Sequence, residues 1–84
     1  MAPVRENNAL RGYRINPGRR AELFSALGFK PDDLAIAING ADLRDGEQAQ
    51  GILMQLPQLR AITVTVERGG QHYEIPISLD EGTL

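Results

Sequence analysis

Apolar and polar positions alternate most regularly in the last third of the chain. Ile62, Val64 and Val66 are separated by polar residues, and a second alternating run follows Gly69-Gly70. Side chains of a β-strand point alternately to the two faces of a sheet, and a Gly-Gly pair readily adopts the positive φ angles of a two-residue turn. The pattern therefore predicts a β-hairpin, with Pro76 placing its second strand at a sheet edge or a bulge. The apolar residues of the second strand that should face inward are Tyr73, Ile75, Ile77 and Leu79.

The middle of the chain predicts a second hairpin. Residues 34–38 alternate Leu or Ile with Ala, so that the larger side chains share one face and the small ones the other. This composition is typical of a strand that is covered on both faces. Asn39-Gly40 follows directly and favours a type I′ turn, because both central residues of that turn need positive φ. The chain should then double back over residues 41–43.

The first predicted strand covers residues 10–15, where Tyr13 and Ile15 share one face. Residues before it carry no apolar period, so we expect no regular structure there. The expected division of the chain is a flexible lead-in at 1–8, one folded domain at 9–80 and a flexible tail at 81–84.

A short helix is predicted between the first two strands. Leu23, Phe24 and Leu27 lie at positions i, i+1 and i+4, which places them on one helical face. Gly28 suits the left-handed position just past a helix end. We therefore expect a helix over residues 21–27.

A longer helix is predicted between the two hairpins. The Asp45 carboxylate can cap its first turn while Gln48 reaches back to the Asp45 amide, and Pro57 should end it. Gly51 disfavours this helix by up to about 1 kcal/mol relative to Ala, which suggests close packing at that position or a marginally stable helix. Its apolar residues at i, i+3, i+4 and i+7 are Ala49, Ile52, Leu53 and Leu56.

Composition narrows the possible functions. The chain has 84 residues, no Cys and a net charge of −2, which indicates one domain without a disulfide framework. A balanced charge does not attract a protein to nucleic acid or anionic lipid, so nucleic-acid partners are not expected. The longest apolar run, residues 34–38, is far shorter than the roughly 20 residues that span a bilayer. The chain itself should therefore not be embedded in a membrane.

The side chains that catalysis needs are scarce. His72 is the single His and lies in a predicted hairpin, while Ser25 and Ser78 lack the strand–turn–helix context of a nucleophile. The acidic residues near the turns lack the Gly and terminal Glu of a calcium loop. We therefore expect no enzymatic activity, no catalytic residue, no metal site and no cofactor.

Several segments together resemble the PDZ domain at the C-terminal end of the type II secretion system protein C family, over about residues 10–79. The resemblance implies an α+β fold, a small, mostly antiparallel and partly open β-barrel or sandwich with two helices. The segments that carry it are Gly12-Tyr13-Arg14-Ile15-Asn16-Pro17-Gly18, Leu23-Phe24, Leu27-Gly28, Asp33-Leu34-Ala35, Ile38-Asn39-Gly40, Leu43, Gln55-Leu56-Pro57, Thr63-Val64-Thr65-Val66-Glu67-Arg68 and Gly70-Gln71.

The resemblance also implies a biological setting. The parent protein would cross the inner membrane once and present this domain in the periplasm. There it would recognise the secretin, other secretion-system components or exported proteins while folded proteins cross the outer membrane. Neither the membrane helix nor the homology region of that family occurs in the 84 residues.

A PDZ domain can recognise a partner by strand addition, in which an extended peptide pairs with a free strand edge beside the longer helix. We expect the strand at residues 10–15 to supply that edge, and Leu10-Arg11-Gly12-Tyr13 to form the loop whose amides bind a terminal carboxylate. The helix begins with Gly46, Glu47 and Gln48, without the His that often reads a Ser or Thr of the ligand. The predicted peptide-binding residues are Leu10, Arg11, Gly12, Tyr13, Arg14, Ile15, Ala49, Ile52, Leu53 and Leu56.

The sequence leaves four alternatives open. The four apolar residues of the longer helix can belong to the core instead of a groove, and Arg11 and Arg14 can be ordinary surface charges. PDZ domains also occur as substrate-sensing domains of periplasmic or membrane proteases. Finally, the domain can be a structural spacer with a closed groove.

Overall fold

The computed structural model describes residues 2–15 and 21–78. Within them, the neighbouring strands of a six-stranded sheet pair antiparallel in the order β1-β2-β3-β5-β6, and β4 pairs with β3. This arrangement confirms the predicted α+β fold with two helices. A 3-10 turn at Leu56–Gln58 follows the second helix. The elements are β1 (Ala2–Glu6), β2 (Ala9–Arg14), α1 (Ala21–Ala26), β3 (Leu34–Ile38), β4 (Ala41–Asp42), α2 (Gly46–Gln55), β5 (Ala61–Arg68) and β6 (Gln71–Ser78).

The hairpin of β5 and β6 confirms the alternation in the last third of the chain. Its register is continuous from Ala61↔Ser78 to Arg68↔Gln71, around glycines with φ of 57° and 78°. A two-residue turn closes on a hydrogen-bonded pair, so alternate pairs are non-hydrogen-bonded, and Thr63↔Pro76 is one of these. The missing N–H of Pro76 therefore faces the outer edge of β6, where no β5 partner needs it.

The Asn39-Gly40 turn also forms as predicted, with φ of 51° at Asn39 and 83° at Gly40. It binds β5 as well as closing its own hairpin. The Asn39 amide donates to the Thr63 carbonyl at 2.8 Å, and the Thr63 amide donates to Asn39 Oδ1 at 2.8 Å. These two bonds join the turn to the side of β5 opposite β6.

Strand β3 departs from the predicted alternation. The register between β3 and β5 shifts between Ala35 and Ala37, so Ile36 is left without a paired residue. As a result Ala35 and Ile38 both join the core, although simple alternation placed them on opposite faces. Ile36 is buried but is not part of that core cluster. The strand is nevertheless covered on both faces, as expected.

Helix α2 is capped at Asp45 as predicted, but the expected contact of Gln48 is wrong. Asp45 Oδ1 accepts from the Glu47 amide at 3.1 Å. Gln48 donates its side-chain amide to Asp45 Oδ2 at 2.9 Å and accepts from the Asp42 amide at 3.0 Å. The Asp45 amide instead donates to the Asp42 carbonyl. Because Asp42 lies in β4, the Gln48 side chain connects the start of the helix to that strand.

The core lies between the sheet and the two helices. Phe24 of α1 stacks on Phe29 with ring centroids 5.4 Å apart. Tyr73, which alternation predicted to face inward, is 44% exposed and lies beneath the Arg68 guanidinium at 4.7 Å. The buried residues of the core cluster are Phe24, Phe29, Ala35, Ile38, Leu43, Ile52, Val64, Val66 and Ile75.

Asp33 is fully buried and connects the loop after α1 to β5. Arg68 donates to both its carboxylate oxygens at 2.7 Å, and the Lys30 amide donates to Oδ2 at 2.8 Å. Arg68 also donates to the Gly28 carbonyl at 3.1 Å. Burial alone would raise the pKa of Asp33, but these hydrogen bonds and the Arg68 charge outweigh it and hold the pKa below its ordinary value.

We expected residues 1–8 to be a flexible lead-in without regular structure, and for the described residues 2–8 this is wrong. Residues 2–6 form β1, which pairs with β2 through a turn at Asn7 and Asn8 with φ of 53° and 65°. Asn tolerates this left-handed conformation better than most residues, so the Asn-Asn pair supports a two-residue hairpin turn. The predicted break at Asn16-Pro17-Gly18, the inward Leu79 and the tail lie outside the described residues.

Candidate functional site

The predicted pairing edge on β2 is wrong, because β2 is an inner strand. On one side it pairs with β1, with Gly12 opposite Val4. On the other side Tyr13 pairs with Ala35 of β3, and the Ile15 amide donates to the Asp33 carbonyl at 3.4 Å. A guest strand therefore finds no free main-chain edge at residues 12–15.

The surroundings of Gly12 indicate a role in packing β2 against β3, and not in binding a carboxylate. It is buried at φ 155°, and a Cβ built on it would lie 3.0 Å from the Ala35 carbonyl oxygen and 3.1 Å from Ile36 Cγ2. Glycine is needed here because β3 approaches the backbone closely. The predicted carboxylate loop does not form, since residues 10–13 lie inside β2.

The two arginines of β2 are exposed and make only loose ion pairs. Arg11 lies 3.8 Å from Glu6 and 3.4 Å from Glu67, and Arg14 lies 3.9 Å from Asp32. Exposed pairs at such distances contribute little to stability. Their charges therefore remain available at the surface.

The predicted apolar residues of α2 divide between core and surface. Ile52 is buried in the core, and Ala49 and Leu56 pack partly buried against it. Leu53 is 51% exposed. Of the four, Leu53 alone offers most of its side chain to a partner without disturbing the core.

Three strands of the described sheet have an unpaired side: β1 and β6, which end its strand order, and the two-residue β4, which pairs there with β3 alone and whose Asp42 amide donates to Gln48. In β1 the closing pair is Glu6↔Ala9, so the main-chain groups of Arg5 and Pro3 point away from β2. The Arg5 amide is thus a donor on the outer edge, and Pro3 contributes only its carbonyl. No side chain of β1 is buried. This strand could not be predicted from the sequence because residues 2–6 have no apolar alternation, although Asn7-Asn8 is a signal for its turn.

A surface cavity of about 390 Å³ lies at the other end of the sheet, near the Asn39 turn. None of the described residues that line it is charged; they come from that turn, from the start of β5 and from the end of β6. The lining residues are Asn39, Ala61, Ile62, Thr63, Pro76, Ile77 and Ser78.

Among residues 2–15 and 21–78, no three His, Asp or Glu side chains are grouped so that they could hold a metal ion. No helix in this part of the chain has the length and apolar character to cross a membrane.

This fold, an antiparallel sheet with two helices, is that of a PDZ domain, because it matches solved PDZ domains. The PDZ domain of pullulanase C protein of the Klebsiella pneumoniae type II secretion system, in complex with fatty acid, matches with a TM-score of 0.86 and 51% identity. The match covers 93% of this chain and 80% of that one. The PDZ domain of EpsC from Vibrio cholerae, residues 204–305, matches with a TM-score of 0.82 and 31% identity, over 92% and 73% of the two chains.

Curated relatives identify the family. Type II secretion system protein C of Klebsiella pneumoniae is 53% identical over 79 residues, which are 94% of this chain and 28% of that protein. The Pectobacterium carotovorum protein of the same name is 44% identical over 80 residues, again 28% of its length. No family model matches. The chain belongs to the type II secretion system protein C family, as a PDZ domain spanning about 28% of the length of these relatives.

Proposed function

We propose that this chain is the partner-recognition domain of a type II secretion system component that is anchored in the inner membrane and faces the periplasm. It binds the secretin, other components of the machinery or exported proteins, and it has no catalytic role. The named relatives support this setting, and the PDZ fold is a protein-interaction fold. The alternative role in a protease receives no support from relatives that are all named as protein C.

Strand addition to the outer edge of β1 is the proposed binding mode. The observation that carries it is that β1 ends the sheet, pairs with β2 alone among the described strands, and buries none of its side chains. A carbonyl of the guest strand would accept a hydrogen bond from the Arg5 N–H, and N–H groups of the guest would donate to the carbonyls of Pro3 and Arg5. Main-chain bonds of this kind give affinity without requiring one ligand sequence.

The β6 edge is less adaptable than the β1 edge. Proline and charged residues hinder pairing at a free edge, and each edge has one of both, Pro3 and Arg5 in β1 and Pro76 and Glu74 in β6. The two strands differ in burial, because β1 buries none of its side chains whereas β6 buries Ile75 in the core. This difference favours β1 as the pairing edge.

Apolar contacts would add selectivity. We propose Leu53, the exposed apolar residue of α2, as a second contact made by a part of the partner other than the added strand, because α2 contacts the sheet at β4. Ala49, Ile52 and Leu56 support Leu53 from the core. The Klebsiella domain, 51% identical to this one, was solved in complex with fatty acid, which supports an apolar component in the ligand. We therefore propose an extended, partly apolar peptide segment as the ligand class.

The test is a titration of the ¹⁵N-labelled chain with periplasmic secretin domains and with an exported protein. We expect amide shifts concentrated in β1 and around Leu53. Arg5→Pro removes the outward N–H and should weaken binding at least tenfold, whereas Arg5→Ala keeps that N–H and should bind nearly as the wild type does.

A matched control addresses the other edge. Glu74→Pro removes an outward N–H from β6 and should leave binding unchanged. Folding of every variant is checked by thermal unfolding. Shifts confined to β6, or binding lost in Glu74→Pro and retained in Arg5→Pro, would contradict the proposed edge.

A further inference from the structure

Gly51 in α2 is not required by packing within the described chain. Glycine is a poor helix former, so a Gly inside a helix calls for a reason. Among residues 2–15 and 21–78, no atom of another element lies within 4 Å of the point where its Cβ would be. Of the two predicted explanations for Gly51, close packing by another described part of the chain is therefore wrong, the marginally stable helix stays a prediction, and the space above Gly51 is open.

The residues around Gly51 form an exposed surface. Positions three, four and seven residues away on a helix are neighbours on its surface. Met54, at i+3, is 71% exposed, more than any other large apolar side chain of the described residues. We call this surface the Met54 face; it consists of Glu47, Gly51, Met54 and Gln55.

This face is nearly free of charge. Residues 48–59 contain no Asp, Glu, Lys or Arg, in a chain where 24% of residues are charged. Glu47 is the one charged residue of the Met54 face. Protein interfaces are depleted of charged residues at their centre and enriched in Met, whose flexible side chain adapts to a partner surface. The composition therefore indicates a surface that another protein covers.

We propose that the Met54 face is the interface between two copies of this chain, with their α2 helices antiparallel about a two-fold axis through Gly51. Two glycines facing each other let the helix backbones approach closely, and each Met54 then packs beside the backbone of the second copy. This interface is separate from the proposed strand addition at β1.

The two-fold arrangement matches the polar groups of the face. Gln55 and Glu47 each lie four residues from Gly51, about 6 Å along the helix axis in opposite directions. In the antiparallel pair, Gln55 of one copy is level with Glu47 of the other. The Gln55 amide can then donate to the Glu47 carboxylate, and symmetry repeats this bond.

Charge favours a second copy over a charged partner. The two Glu47 carboxylates would be about 12 Å apart, which is about one screening length at 0.1 M salt, so they repel each other little. One helix face buries less area than stable dimers need. The association is therefore weak and should appear only at high protein concentration.

The test uses sedimentation velocity and ¹⁵N spectra of the 84-residue chain over a hundredfold concentration range. We expect the wild type to sediment progressively faster with concentration, with shifts at Gly51, Met54 and Gln55. Gly51→Gln fills the open space and should sediment as a monomer throughout. Gly46→Gln makes the same change on α2, also where nothing lies within 4 Å, and should associate as the wild type does.

A second pair of variants tests the apolar contact. Met54→Gln should weaken self-association several-fold, whereas Leu53→Gln, on an adjacent side of α2, should not. Circular dichroism confirms folding in each case. A wild type that stays monomeric at the highest concentration, or a Gly51→Gln variant that associates as strongly as the wild type, overturns the proposal.

Discussion

The hairpins at the two ends of the sheet are held in different ways. Strand β6 buries Ile75 in the core and pairs with β5 in unbroken register. Strand β1 buries no side chain, and its pairing with β2 is interrupted by a register shift between Val4 and Arg5. Both strands are sheet edges, yet side-chain packing anchors β6 and mainly main-chain bonds hold β1.

The difference indicates where the domain can adapt. Segments with few buried apolar contacts open at lower free energy than segments packed into the core. A strand held by its backbone can shift to accommodate a guest without exposing core residues. The contrast therefore supports β1 as the recognition edge and β6 as part of the stable framework.

The largest expected difference concerns buried and exposed carboxylates. Asp33 anchors the β5–β6 hairpin through Arg68, so Asp33→Ala leaves polar groups unpaired and should lower the free energy of unfolding by about 3–5 kcal/mol. Glu6, in β1, is exposed, and Glu6→Ala should change it by no more than about 0.5 kcal/mol. Urea unfolding measures both; similar losses would contradict the different anchoring of the hairpins.

Apolar truncation in the two edge strands should also separate them. Ile75→Ala creates a cavity in the core and should cost about 2–4 kcal/mol. Val4 is only partly buried and lies outside the core cluster, so Val4→Ala should cost less than about 1 kcal/mol. Thermal unfolding at matched concentration compares the two. A loss from Val4→Ala as large as that from Ile75→Ala would show that β1 is anchored by packing after all.

Gly12 tests the boundary between the adaptable strand and the framework. A methyl group here would meet the Ala35 carbonyl at 3.0 Å, so Gly12→Ala should destabilise the domain by about 1–3 kcal/mol. Hydrogen exchange should show faster exchange at the β2–β3 pairs. Gly46→Ala, with open space around its Cβ, is the control and should not destabilise.

The smallest expected effect is a pH dependence that belongs to the β5–β6 side. The pKa of Asp33 is lower in the folded protein than in the unfolded chain, so the unfolded chain binds the proton more readily. The resulting stabilisation is complete above about pH 4 and is lost as the pH falls through the folded pKa. Urea midpoints between about pH 2 and 5 should therefore fall less steeply in Asp33→Asn than in the wild type. Equal slopes would exclude this contribution from Asp33.

Local signals in the sequence predicted most of the elements. Asn39-Gly40, Gly69-Gly70 and the Asp45 cap act through φ angles and hydrogen bonds within a few residues, and all three form as expected. The alternation of β5 likewise depends only on side-chain direction along one strand. Such features are readable because the interacting groups are close in sequence.

Signals that depend on distant partners were less informative. The bulge at Ile36 and the outward position of Tyr73 follow from pairing and from the Arg68 contact, which no local pattern reveals. Within the predicted site, the distinction between Leu53 and the other apolar residues of α2 required the packed core. The identity of the pairing edge depended on β1, which lacks an apolar period.

The turns at Asn39-Gly40 and Gly69-Gly70, the two helices, most of the strands and the family resemblance could be read from the amino-acid sequence, because they depend on backbone preferences and residue patterns. Which strand is left with a free edge became clear from the folded chain alone. An edge is defined by the strands that do not pair with it, and β2 became an inner strand when the Asn7-Asn8 turn folded residues 2–6 against it.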